Sequence, residues 1–253
     1  MYLRLSAIVI GLLSSTSVCA ASMRLAAEDW PPYTTPSLPG NGVTGALVNT
    51  VLSRLGHNVD VDYYPWKRAV EYGLHDPRYA GYLAVWRTPE REKLCYFSAP
   101  VGHTQSVLAY LKDAPIQAAN FEDLRAVRVG VVSGYTNGDE FDALVRSGLL
   151  HVEEGVSDEV NLRKLQSGRF SAMVIEKHVL RYLLTRPQFK DARQRVAFST
   201  SLFRERTVHV CFKRTPAGLS YQQAFNSTAS KLNMNKIEHD YWHQLGYDNI
   251  DGD

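Results

Sequence analysis

YLAVWRTPEREKLCYFSAP, residues 82–100, sets two short apolar runs on either side of a charged turn. Val85 and Trp86 close the first run, Cys95, Tyr96 and Phe97 open the second, and Thr88-Pro89-Glu90-Arg91 stands between them. The pattern reads as two strands joined by a helix-like turn. Arg91 on that turn is either one more solvated surface charge, or the cation that a bound anion needs.

The segments before this stretch alternate. MRLAAEDWPPYT (23–34) reads as a strand that ends in an aromatic, proline-rich turn. GALVNTVLSRLGHNV (45–59) places Leu47, Val48, Val51, Leu52 and Leu55 at helical spacing, with Gly56 just past the end. VDVDYYP is a strand, WKRAVEYGLHD a short helix, and YAGYLAVW a strand again. This β-α-β-α-β order predicts an α/β layer on a mainly parallel sheet.

After residue 100 the alternation restarts. SVLAYLK is strand-like, RVGVVSGYTNGDEFDALVRSG reads strand, turn, helix, and HVEEGVS is a strand with its turn. FSAMVIEK is a strand running into a helix, QRVAFST closes this half, and RTVHVCFKRT is a late strand followed by two helices. The second half therefore reads as a lobe inserted into the first, with chain crossings near 107–112 and 198–204. Residues 21–109 form the first part of lobe 1, 110–200 form lobe 2, and 201–253 return to lobe 1.

Residues 1–20 form a separate object. Arg4 precedes the apolar IVIGLLSS, and Val18-Cys19-Ala20 offers a small-residue cleavage site, the pattern of a secretory signal peptide. The apolar run is too short to span a bilayer. Val18 is bulkier than a lipoprotein site prefers before Cys19, so the expectation is a soluble protein exported to the periplasm. Cleavage leaves Cys95 and Cys211, which either bridge or stay buried as free thiols.

With a net charge of +2 the chain has no basic stripe for nucleic acid and no acidic tail. His239 and His243 stand four apart on a predicted helix, but no third metal ligand lies near them. No G-x-S-x-G elbow and no glycine-rich phosphate loop appears. The expectation is a monomer without cofactor or metal, and not an enzyme.

Taken in order, WPPY, a Gly-led helix, TPER followed by YFSAP, VRVGVVSGYT and the late CFKRT strand resemble the type-2 periplasmic solute-binding proteins. More narrowly they are similar to the extracellular family-3 group, which serves ABC transporters of polar amino acids. The resemblance covers essentially the whole chain after the signal segment. It implies two α/β lobes, each with a mixed, mainly parallel sheet flanked by helices, joined by a two-strand hinge and closing on a ligand. By the same resemblance Arg91 grips the ligand carboxylate, and Trp30, with Tyr33 beside it, covers the ligand side chain. Thr136 caps a helix and adds a donor to the carboxylate, and Glu176 takes the ammonium.

Physical chemistry supports those roles. A planar guanidinium meets a carboxylate with two parallel charge-assisted hydrogen bonds. The start of a helix after GYTNG offers backbone donors to an anion, and aromatic faces can wall a ligand or hold its cationic group. The chain also departs from the pattern. Ala84, Val85, Trp86 and Arg87 replace the small hydroxyl or glycine residues usual before T-x-x-R, and Trp66 with Arg68 sets a second aromatic–cation pair near the same rim. A ligand with an additional acidic group, or another small anion, therefore stays open beside an amino acid. The implied partner is a membrane permease. The alternatives are a membrane sensor that reads the closed form, and a dehydratase acting on cyclohexadienyl acids.

Overall fold

The structure is a computed structural model and describes residues 21–246; the segment 1–20, expected to be a signal peptide, lies outside the described residues. The chain runs β1 (Ala21–Ala27), α1 (Gly42–Ser53), β2 (His57–Tyr63), α2 (Trp66–His75), β3 (Gly81–Trp86), α3 (Pro89–Glu92) and β4 (Cys95–Phe97). The long β5 (His103–Leu111) leads to β6 (Arg128–Val132), α4 (Asp139–Arg146), β7 (His151–Gly155), α5 (Asp158–Gln166), β8 (Ala172–Glu176) and α6 (Lys177–Thr185). It then passes through α7 (Lys190–Arg195) and β9 (Val196–Ser199), returns along β10 (Glu205–Lys213), and ends in α8 (Pro216–Ala229) and α9 (Met234–Gln244).

The strands line up as β2-β1-β3-β10-β5-β8-β6-β7, with β4 added to β10 and β9 to β5. β1 runs parallel to β2 and β3, and β6 runs parallel to β7 and β8. β5 and β10 enter antiparallel to all their neighbours, so each lobe is a mixed sheet with parallel outer strands. The lobes meet where β5 and β10 pair, through Thr207–His103, Arg206–Thr104 and Glu205–Gln105. These pairs lie a few residues outside the crossings that the sequence suggests.

Helix packing follows the apolar stripes. Leu47, Val48, Val51 and Leu52 of α1 are fully buried against a core that includes Leu25 of β1 and Leu83 of β3, as the spacing predicts. The entry to α1 needs glycine: Gly42 has φ 84°, and a Cβ there would stand 2.5 Å from the Tyr33 carbonyl oxygen. Val129, Val131 and Phe141 of lobe 2 build a second cluster, and Phe203, just past the 110–200 span, packs into it. α7 carries no apolar stripe in KDARQR, and only its Ala192 is buried, next to Phe189.

Two features fix the region around residues 82–100. Cys95 and Cys211 are joined by a disulfide between β4 and β10, with Cα atoms 5.5 Å apart, so the alternative of free thiols does not hold here. Between β3 and β10 the register shifts at His209/Val210: Val85 faces His209 and Leu83 faces Val210, leaving Ala84 unpaired at φ 61°. A non-glycine residue there is strained by about 1–2 kcal/mol. No helix of the described residues is long and apolar enough to cross a membrane.

Candidate functional site

A cleft of about 390 Å³, its open mouth included, lies where the ends of β1 and β3 face the loop after β6. Among its lining residues are Trp30, Trp66, Ala84, Trp86, Arg91 and Thr136, six of the nine expected ligand contacts. Carboxyl ends of parallel strands are where open α/β sheets bind ligands. The unpaired Ala84 contributes to the wall, and the bulge redirects the strand just before Trp86.

Arg91 reaches the cleft because β3 turns directly into α3. Thr88 is the N-cap, its hydroxyl accepting from the Arg91 amide at 3.3 Å, and Pro89 sits at the first helical position. The half-buried guanidinium donates from Nη1 to the Trp86 carbonyl at 3.0 Å and lies 5.4 Å from the Trp66 ring centroid. It makes no ion pair among the described residues. Burial lowers its pKa, while Tyr82 and Asp142 oppose that shift. An arginine with free donors beside an aromatic face is a ready carboxylate receptor.

The aromatic walls also tie the lobes together. Trp66, at the start of α2, donates from Nε1 to the Gly134 carbonyl across the cleft at 3.0 Å. Trp30 donates to Asp158 Oδ2 at 3.1 Å. Trp86 donates to Thr104 Oγ1 on β5 at 2.8 Å, and Arg206 of β10 stands 4.9 Å from its ring centroid. Tyr33 does not line the cleft: it is fully buried behind Trp30, stacked at 4.6 Å, and its hydroxyl donates to the His103 carbonyl. Arg68 does not line it either, since α2 turns this residue outward to solvent while burying Trp66 and Ala69.

On the lobe-2 side two expectations need correcting. Thr136 lines the cleft but is not the helix cap; Gly138 holds that position. The Thr136 hydroxyl donates to Asp142 Oδ2 at 2.8 Å, and the Asn137 amide donates to both Asp142 oxygens at 3.1 Å. The chain's own carboxylate thus takes the donors that were expected to serve a ligand. Glu176 is the N-cap of α6, accepting from the His178, Val179 and Gln105 amides at 2.6, 2.9 and 3.1 Å. It is buried, burial raises its pKa to about 7, and it does not line the cleft.

The carboxylate that does line it is Glu28, which the sequence reading passed over. It follows β1 directly, is 9% exposed, and accepts a hydrogen bond from the Tyr135 hydroxyl across the cleft. Burial pushes its pKa up to about 8, Asp158 adds to the rise, and bonds from Tyr135 and the Trp66 backbone oppose it. The available signal was an acid placed just past the carboxyl end of a parallel strand. Among the described residues no group of His, Cys, Asp and Glu could hold a metal. His239 is exposed beside Asp240.

No family model matches the chain, and neither does any curated protein. Solved structures do. An ancestral arginine-binding protein bound to arginine aligns at TM-score 0.73 and 16% identity, over 88% of this chain and 97% of that one. The GluR0 ligand-binding core from Nostoc punctiforme, in complex with L-glutamate, aligns at 0.70 and 18%, over 89% and 99%. The substrate-binding protein of an amino acid ABC transporter aligns at 0.70 and 17%, over 88% and 98%. At these identities the likeness fixes the architecture: this chain has the two-lobed α/β fold of those binding proteins.

Proposed function

We propose that the protein belongs with the family-3 solute-binding proteins and closes its lobes on a small carboxylate-bearing solute, an amino acid, which it delivers to an ABC permease. One observation carries this reading. Arg91 lines a cleft between the lobes, shielded by Trp66, with no acidic side chain paired to it. The arginine and L-glutamate bound in two of the similar structures, and the amino acid ABC transporter that a third serves, support the same class.

Closure is the working step. The bonds Trp66–Gly134, Tyr135–Glu28 and Trp30–Asp158 exist only with the lobes together. A ligand that touches both walls shifts the equilibrium toward that state. We take 21–109 and 201–253 as lobe 1 and 110–200 as lobe 2, moving about β5 and β10. A disulfide in the lobe that holds Arg91 supports export to an oxidising compartment. The protein acts as a monomeric binder rather than an enzyme.

Isothermal titration against a panel of amino acids and small carboxylates tests the reading. At least one amino acid should bind tighter than millimolar and raise the unfolding temperature as mass action requires. A panel with no such binder removes the solute class.

A further inference from the structure

A zwitterion needs a receptor for its positive end as well as its negative one. Glu176, where the resemblance puts that receptor, has both oxygens committed: Oε1 to the Gln105 amide, Oε2 to those of His178 and Val179. Asp158 is engaged by Trp30 and lies off the cleft wall. We propose that Glu28 receives the ligand's cationic nitrogen, opposite a carboxylate held by Arg91, and that binding expels a proton from Glu28. This rests on the proposed binding of an amino acid in the same cleft, and it narrows the ligand class to small zwitterions.

The geometry favours Glu28 on four counts. It lines the same cleft as Arg91, so the two charges face one shared space. Its donors are the Tyr135 hydroxyl and the Trp66 backbone, which leaves acceptor capacity on a group able to take about four hydrogen bonds. No cation among the described residues pairs with it. The rings of Trp30, Trp66 and Trp86 surround the space, and such faces attract a cationic nitrogen.

The proton follows from the surroundings. Tyr135 faces Glu28 from the loop after β6, Asp158 from α5, the Trp66 amide from α2 and Asp29 from its own turn. Arg91 shares the cleft. Burial, Asp158 and Asp29 raise the Glu28 pKa to about 8, so at pH 7 the empty site is mostly a neutral acid. An arriving ammonium favours the carboxylate; the O–H bond breaks and the proton passes to solvent. Affinity should therefore rise with pH, up to about tenfold per unit below pH 8, and level off above it.

The test is calorimetry on the protein with L-arginine, L-glutamine and L-glutamate, and with their N-acetyl derivatives, which keep the carboxylate but lose the α-ammonium. N-acetyl-L-glutamine and N-acetyl-L-glutamate then carry no cation. For glutamine or glutamate, acetylation should weaken binding at least 30-fold. At pH 7 the heats in phosphate and Tris should differ by the release of close to one proton. Glu28→Gln, which keeps an acceptor for Tyr135, should bind the best amino acid at least tenfold more weakly and show no proton release, while unfolding at the parent temperature. The acetylation arm uses the unaltered protein, so the outcome does not depend on the variant folding. If acetylated ligands bind as well, or Glu28→Gln binds and releases a proton like the parent, this inference falls and the role of Arg91 stands. If none of the amino acids binds, both fall together.

Discussion

The two walls of the cleft satisfy their charges in different ways. Behind the lobe-2 wall Asp142 is held by Thr136 and Asn137, and Glu176 by three backbone amides, two of them in its own helix. On the lobe-1 wall Arg91 has only a carbonyl and a ring, and Glu28 takes its side-chain donor from the opposite lobe. Asp142 is satisfied within its own lobe, whereas Arg91 and Glu28 are completed by closure or by a guest. A solute should therefore dock first on lobe 1, where charge is least compensated, and lobe 2 should then close as a preassembled cover.

The largest expected effect lies in the framework of lobe 1. The disulfide closes a loop with a sequence separation of 116, for which loop-closure entropy gives about 4–5 kcal/mol. Reduction, or Cys95→Ala with Cys211→Ala, should lower the denaturant midpoint accordingly. An unchanged midpoint would show that β4 is held without it.

Next comes Arg91→Ala. Removing one partner of a buried charge pair costs about 2–5 kcal/mol, which calorimetry should read as roughly a 30-fold to several thousand-fold loss of amino-acid affinity. Thermal unfolding should stay near that of the parent. Equal binding by the variant would move the carboxylate receptor elsewhere.

A smaller change probes the opposite wall. Asp142→Ala removes an acceptor for Thr136 and Asn137 at the start of α4, a loss of about 1 kcal/mol, or roughly 2–4 °C in unfolding temperature. If affinity for the amino acid rises in this variant, the resident carboxylate competes with the ligand, and lobe 2 is not a finished cover. The smallest effect belongs to Arg68→Ala. Because this side chain points to solvent, both affinity and unfolding temperature should match the parent; a drop in affinity would extend the site beyond the cleft.

Much of this was legible before any coordinates. Periodicity located α1 and its buried face, and the α/β alternation with its restart gave two lobes. Arg91, Trp30, Trp66, Ala84, Trp86 and Thr136 gather on one cleft as the motif order implied. What stayed hidden depends on choices that a side chain makes among partners close in energy. Thr136 can face a ligand or Asp142, and Glu176 can face a ligand or three amides; residue type does not decide between them. The bulge at Ala84 has no local signal, because alanine is not a residue chosen for φ 61°. Glu28 has no distinctive signal of its own, because the aromatic, proline-rich motif of AAEDWPPY begins two residues later at Trp30. α7 leaves no signal in the sequence, because a polar six-residue segment shows no periodicity.

Three of the four tryptophans in the chain, Trp30, Trp66 and Trp86, stand around the cleft, and the fourth, Trp242, stacks on His178. Trp86 also bonds to Thr104 at the crossing between lobes. The protein thus carries its own optical probe: a solute that enters, or a lobe that swings, changes the environment of indoles already in place. Emission spectra taken during a titration should report occupancy without any dye or label.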